Sequence, residues 1–140
     1  MVSDLRLLAP VGEHVSWRIV VAVLTIALGA IPATMLVYVG LVGLVFSLAS
    51  LSTALLMLFA VVLGAAGTIG LWVSAILPKP ATYRLIAGLV GLGCGHVALW
   101  PIQEDMFSSV YVSWLFISPG VVALAHLARA WVRSRQGIEI

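Results

Sequence analysis

The sequence predicts an all-α integral membrane protein: four transmembrane helices joined by short loops, with both termini cytoplasmic. Three observations carry that prediction. Of the 140 residues, 63% are hydrophobic and only 9% charged, with a mean hydropathy of +1.21, whereas a soluble domain is roughly 25% charged. Between Ile19 and Leu77 there is no charged residue. Every Lys and Arg falls on one side of the membrane when the chain is folded into four spans. A soluble globular enzyme, a disordered tail and a nucleic-acid binder are excluded, the last because phosphate recognition needs a dense basic patch. The single cysteine, Cys94, rules out an intrachain disulfide and reads as a small packing residue.

Span 1 is expected over about 19–46 and span 2 over about 54–77. Together with their connection they could form about 88 Å of helix at roughly 1.5 Å per residue, against a hydrocarbon core of about 30 Å. Hydroxyls cluster only over Ser47–Thr53, which marks the break. Pro78-Lys79-Pro80 ends span 2, since proline offers no donor and disfavours helix in the residue before it. Span 3 is expected over about 85–102, ending at Trp100-Pro101, and span 4 over about 109–131. Gln103-Glu104-Asp105 forms the polar turn between them. The chain thus divides into a cytoplasmic or interfacial segment 1–18, a membrane domain 19–132 and a cytoplasmic tail 133–140. Three spans within 19–77 would carry Lys79 and Arg84 outside, against the positive-inside rule. The implied location is the cell inner membrane.

The aromatic residues give the same boundaries. Trp17, Trp72, Tyr83 and Trp131 fall near the inner interface, and Trp100, Phe107, Tyr111 and Trp114 near the outer one. Aromatic-basic pairs opening spans 1 and 3 (Trp17-Arg18, Tyr83-Arg84) suggest a faint parallel repeat, although interface chemistry alone produces such pairs.

Helices in lipid associate through small residues that let backbones approach. Gly29, Ala33, Gly40, Gly43 and Ser47 form one stripe in span 1. Span 2 offers Ala60-Gly64-Thr68 and Ala66-Gly70-Ser74, and span 3 offers Gly88, Gly91 and Gly95. The last is expected to be the tightest contact, with Leu89 a comparison position if it faces lipid. So many stripes imply that one of them meets another subunit. Pro32 and Pro119-Gly120 should kink spans 1 and 4 by freeing the carbonyls of Leu28 and Leu115. Ser113, Ser118, Thr68 and Ser74 are expected to bond between helices.

Residues that could carry chemistry are few. The spans contain no Asp, Glu or Lys, and Arg129 can snorkel from the last turn of span 4. In length and span count the chain is similar to the small multidrug transporters. It departs from them in lacking the glutamate that they need in the first helix, so no function transfers from that resemblance. His96 and His126 are the only histidines inside spans, about 13 Å apart in depth in a roughly 30 Å core, too far to share one haem iron. His14 is nearer the depth of His126 but belongs to the segment read as irregular. Each span histidine is expected to bond a neighbouring helix instead. His96, Gln103, Glu104 and Asp105 form a possible polar site at the outer turn, where the two carboxylates suit a hard cation and His96 a transition metal. No nucleophile–base pair and no phosphate loop is found, so no enzymatic activity and no cofactor are expected. The expected partners are the lipid bilayer and either other membrane subunits or further copies of the chain, not nucleic acid. A structural or accessory subunit of a membrane complex is the first reading of function. The alternative is a homo-oligomeric channel or transport protein, with Pro32 and Pro119 as flex points and Ser/Thr rows lining a lumen.

Overall fold

The computed structural model describes residues 11–77, 79–100 and 110–136, with side chains from residue 17 onward. These residues fold entirely into helices, four of which are long and apolar enough to cross a membrane. The first is interrupted: α1 (Val11–Thr25) runs into a π turn (Ile26–Ala30) and on into α2 (Ile31–Ser47). α3 (Leu51–Ile76), α4 (Thr82–Leu99) and α5 (Val110–Arg135) follow. Short connections force consecutive helices to run antiparallel. α3 packs on both the first helix and α4, and α5 closes the ring against α4 and the π turn.

Several boundaries differ from the sequence reading: α4 begins at Thr82 rather than about 85, and α5 runs on to Arg135 rather than ending near 131, into the expected tail. α1 begins at Val11, so 11–18 is continuous helix with the first span, and His14 lies in that helix rather than in an irregular segment. The break expected over Ser47–Thr53 narrows to Leu48, Ala49 and Ser50. The amide of Ser50 bonds the carbonyl of Ser47 at 3.0 Å, and Ala54 N–H bonds the Ser50 carbonyl at 2.9 Å. With backbone groups satisfied this locally, the hydroxyls bond one another. Thr53 Oγ1 donates to Ser50 Oγ at 3.3 Å.

The π turn is the backbone's answer to Pro32. A proline ring crowds the carbonyl one turn earlier, and a turn widened by one residue makes room. The Ile31 N–H accordingly reaches back five residues to the Ile26 carbonyl, and Pro32 opens α2. The disturbance lies ahead of the proline, and Thr34 caps the region by donating its hydroxyl to the Ala30 carbonyl at 2.7 Å. Pro119, by contrast, sits inside an unbroken α5. Both prolines are fully buried. The π turn packs on α5, where a Cβ on Gly29 would come within 2.9 Å of Val122 Cγ1. Gly120 has room for one, with Leu89 Cδ2 at 3.8 Å and Leu92 Cδ1 at 3.9 Å. Ala30, Ala33, Leu71, Leu85 and Ala123 make the core, with Leu89, Val122 and Leu127 against it. Leu89 therefore faces the core and not lipid, which removes it as a comparison position.

α3 and α4 form by far the most extensive contact of the bundle. A Cβ built on Gly88 would stand 2.5 Å from Gly67 Cα, and one on Gly91 would stand 2.5 Å from Gly64 N. Gly67 meets Gly88 and Gly70 meets Arg84 Cβ (2.8 Å) from the other side. The obstructions are mostly backbone, which cannot step aside. Gly95 is looser, with Ala60 Cβ at 3.6 Å. Gly64 itself has space for a Cβ, its nearest neighbour being Val37 Cγ2 at 3.7 Å, so its role is to let Gly91 approach its backbone. On α2, a Cβ added to Gly40 or Gly43 would stand 2.9 Å from Val61 Cγ2 or Met57 Cε of α3. Ala33 is buried in the core. Every glycine stripe thus has its neighbour within the chain, which withdraws the argument that a surplus stripe must face another subunit.

Candidate functional site

The basic residues gather at one end of the bundle, where α3 and α5 finish and α1 and α4 begin. Arg18, Lys79, Arg129 and Arg133 line an open cavity of about 500 Å³ there, together with Trp17, Val21, Ala22, Ser74 and His126. Helical spacing explains the convergence. Arg18, Val21 and Ala22 of α1 stand at offsets 0, 3 and 4, and His126, Arg129, Ala130 and Arg133 of α5 at 0, 3, 4 and 7. Each set is one face of its helix. The closing wall comes from the end of α3 and the Lys79-Pro80 connection.

All four cations are exposed, so the long side chains reach water while their stems line the cavity. No carboxylate is among the described lining residues. Aromatic rings flank this end as they do at headgroup level in membranes: the Arg135 guanidinium lies 4.0 Å over the Trp131 ring, and that of Arg84 lies 5.3 Å from the centre of Tyr83.

His126 ties the inner end of the cavity to α1. Its Nε2 lies 2.9 Å from Thr25 Oγ1, and the Thr25 hydroxyl donates to the Val21 carbonyl at 2.8 Å. A hydroxyl has one proton to give, so the Nε2–H of His126 is the donor in the interhelical bond. Thr25 is 3% exposed, which removes water as a substitute partner. Thr25→Val keeps the shape and leaves that N–H unpaired. It should lower stability by about 0.6 to 1.7 kcal/mol, the average and upper range for interhelical bonds in a membrane protein. The check is the thermal unfolding midpoint in detergent beside wild type.

Hydroxyls expected to bond between helices mostly do otherwise. Thr68 donates to its own Gly64 carbonyl at 2.9 Å. Ser74 Oγ and Ser118 Oγ are buried with no hydrogen-bond partner among the described residues. Trp72 is the exception on the aromatic side, since its indole N–H reaches Thr34 Oγ1 on α2 at 3.4 Å instead of headgroup water.

The other sequence candidates lie elsewhere. His96 stands in the last turn of α4, at the opposite end from the basic cavity, edge-on to Trp100 with ring centres 6.1 Å apart. Its proposed companions Gln103, Glu104 and Asp105 are outside the described residues. The two span histidines therefore have separate neighbours, Trp100 for one and Thr25 for the other. Among the described residues no three His, Cys, Asp or Glu side chains cluster to hold a metal. Between α2, α3, α4 and α5 runs a crevice of only about 70 Å³, lined by apolar side chains and glycines apart from Thr68. A trapped water needs two to four polar partners, and Thr68 has already given its proton away. The crevice is dry.

The sequence reads Arg129 as a snorkelling residue and His126 as bonded to a neighbouring helix, which it is through Thr25, but it does not join the two to one cavity. The matching faces on α1 and α5, each with a basic residue and a polar one near a helix end, are the signal that joins them. Comparison with protein families, with curated proteins and with solved structures finds no match.

Proposed function

We propose that the protein is a small structural or accessory subunit of a membrane complex, held in the inner membrane by four spans with both termini in the cytoplasm. It acts through contacts and not through catalysis. The orientation is supported by the collection of Arg18, Lys79, Arg129 and Arg133 at one cavity, with Arg84 at the start of α4 and Arg135 at the end of the antiparallel α5 on the same end of the bundle. Basic residues of short loops and helix ends stay on the cytoplasmic side.

The observation that favours a subunit over a pore is the interior of the bundle. A conducting path carries carbonyls or charged side chains at its selective part, and its apolar stretches must be wide enough to stay wet. The polar cavity at the basic end reaches His126, which is bonded to the buried Thr25, and the separate crevice among α2, α3, α4 and α5 is apolar apart from Thr68. Thr25, Thr34, Ser47 and Thr68 all donate to carbonyls of their own helices, so these four hydroxyls have already given their protons away and do not offer them to a lumen. A homo-oligomeric channel would need its lumen on the outer faces, where α2 shows Tyr38, Val45 and Phe46 and α5 shows Ile117, Val121 and Leu124. Such faces suit lipid or an apolar partner helix. With the glycine stripes occupied inside the chain, it is through these larger side chains that a partner would be met.

Two measurements separate the readings. Purified protein in liposomes should give no ion flux above protein-free vesicles, and the tagged protein extracted in mild detergent should run as a complex of fixed stoichiometry. Robust ion leak from the isolated protein would establish the channel instead. A monodisperse monomer of 14.8 kDa in every extraction would remove the subunit role.

A further inference from the structure

We propose that the basic cavity between α1, α3 and α5 is a binding site for a phosphate-bearing anion, held by Arg18, Lys79, Arg129 and Arg133 with Ser74 in its wall. The site is independent of whether the protein serves as a subunit. Four observations lead to it.

The first is charge. Four cations line one cavity with no carboxylate among its described lining residues, so those residues do not offset their mutual repulsion, and a bound anion relieves it. The second is the kind of cation. Three of the four are arginines, whose planar forks match phosphate oxygens two at a time, while Lys79 adds a compact point charge. A carboxylate has two oxygens and could occupy one fork. Three forks from two helices call for the three or four oxygens of a phosphate group. The third is Ser74. This residue lines the cavity, and its buried Oγ has no hydrogen-bond partner among the described residues. A buried hydroxyl without a partner is costly, and a ligand oxygen in the cavity would accept its proton. The fourth is size and place. About 500 Å³ lies within the roughly 300–1,000 Å³ of small-ligand sites, and the cavity opens at the basic end beside Trp17. Basic pockets between membrane helices at such a boundary are where anionic headgroups are held.

The same chemistry is offered by an anionic phospholipid headgroup and by free phosphate, and the experiment tells them apart. The full chain in detergent is titrated with dioleoylphosphatidylglycerol, with dioleoylphosphatidylcholine, and with inorganic phosphate, reading bound adducts by native mass spectrometry and the shift of the unfolding midpoint. Preferential retention of phosphatidylglycerol over phosphatidylcholine, unaffected by phosphate, assigns a lipid headgroup. Binding of inorganic phosphate that displaces phosphatidylglycerol assigns a soluble phosphate compound. In either case Arg129→Gln with Arg133→Gln should weaken binding roughly ten- to hundredfold, and Ser74→Ala roughly two- to tenfold.

Arg135→Gln is the decisive comparison. Arg135 lies at the same end of α5 over Trp131 but does not line the cavity, so its loss should leave affinity within about twofold. Equal weakening by Arg135→Gln and by the Arg129/Arg133 pair would reduce the site to diffuse surface charge and overturn the proposal. So would failure of all three probes to bind wild type. Should the double variant not fold, Ser74→Ala alone decides, because unchanged affinity there contradicts the assigned wall.

Discussion

Gly91→Leu should unfold the bundle or prevent its assembly, while Gly93→Leu, two residues along the same helix, should not. The first Cβ would lie 2.5 Å from Gly64 N, 2.9 Å from the Leu63 carbonyl carbon and 3.0 Å from the Ala60 carbonyl oxygen. All three are backbone atoms of α3, and a helix backbone cannot rotate out of the way as a side chain can. Overpacking ordinarily costs about 1–3 kcal/mol. Here the whole α3–α4 contact must part to admit four extra carbons, so the loss should reach the top of that range or exceed it. Against a typical net stability of about 5–15 kcal/mol, that is a large share. Gly93 has nothing within 4 Å of its added Cβ. Gly93→Leu recovers part of the roughly 0.8–1 kcal/mol of helix propensity by which glycine falls below alanine, and its Cβ enters open space, so it should not destabilise. Contrasting outcomes from one substitution type in one helix isolate close packing from any general effect of glycine. The measurement is the thermal midpoint and the elution volume in detergent for both variants. Equal behaviour of the two would mean that α4 does not meet α3 through this face.

How far this fold can be read from sequence depends on the range of the interaction. The four spans were legible because each is set by its own composition over eighteen or more residues. Their ends moved by a few residues, α1 beginning at Val11, since hydropathy marks where the hydrocarbon would end and not where the helix does. The place of Pro32 was legible, but the π turn ahead of it was not. Proline forbids one geometry without stating which alternative the chain adopts, and packing of Gly29 on Val122 decides that. Gly88 and Gly91 stood out by spacing. Their opposite number Gly67 did not, because an i, i+4 pattern drew attention to Gly64 and Thr68, whereas the face toward α4 runs through Gly64 and Gly67 at i, i+3. The basic cavity was least legible. Arg18, Ser74, Lys79, His126 and Arg133 come from three separate helices and a turn, and only tertiary packing brings them to one mouth. The outer polar turn at Gln103, Glu104 and Asp105 lies outside the described residues.

The orientation of that mouth underlies both the subunit reading and the supply of anions to the cavity. Positive-inside sorting acts on basic residues near span ends, and here the described ones all favour the same end. Moving the basic end across the membrane would expose Lys79 to the outside and bring residue 105 to the cytoplasm. The two arrangements predict opposite labelling. The half-buried Cys94 is first replaced by Ala, and Lys79→Cys and Asp105→Cys are then made singly. Intact cells are treated with a membrane-impermeant thiol reagent, and the same reagent is applied after permeabilisation. Asp105→Cys should be labelled in intact cells, and Lys79→Cys only once the membrane is opened. Labelling of Lys79→Cys in intact cells, with Asp105→Cys protected until permeabilisation, would contradict the account.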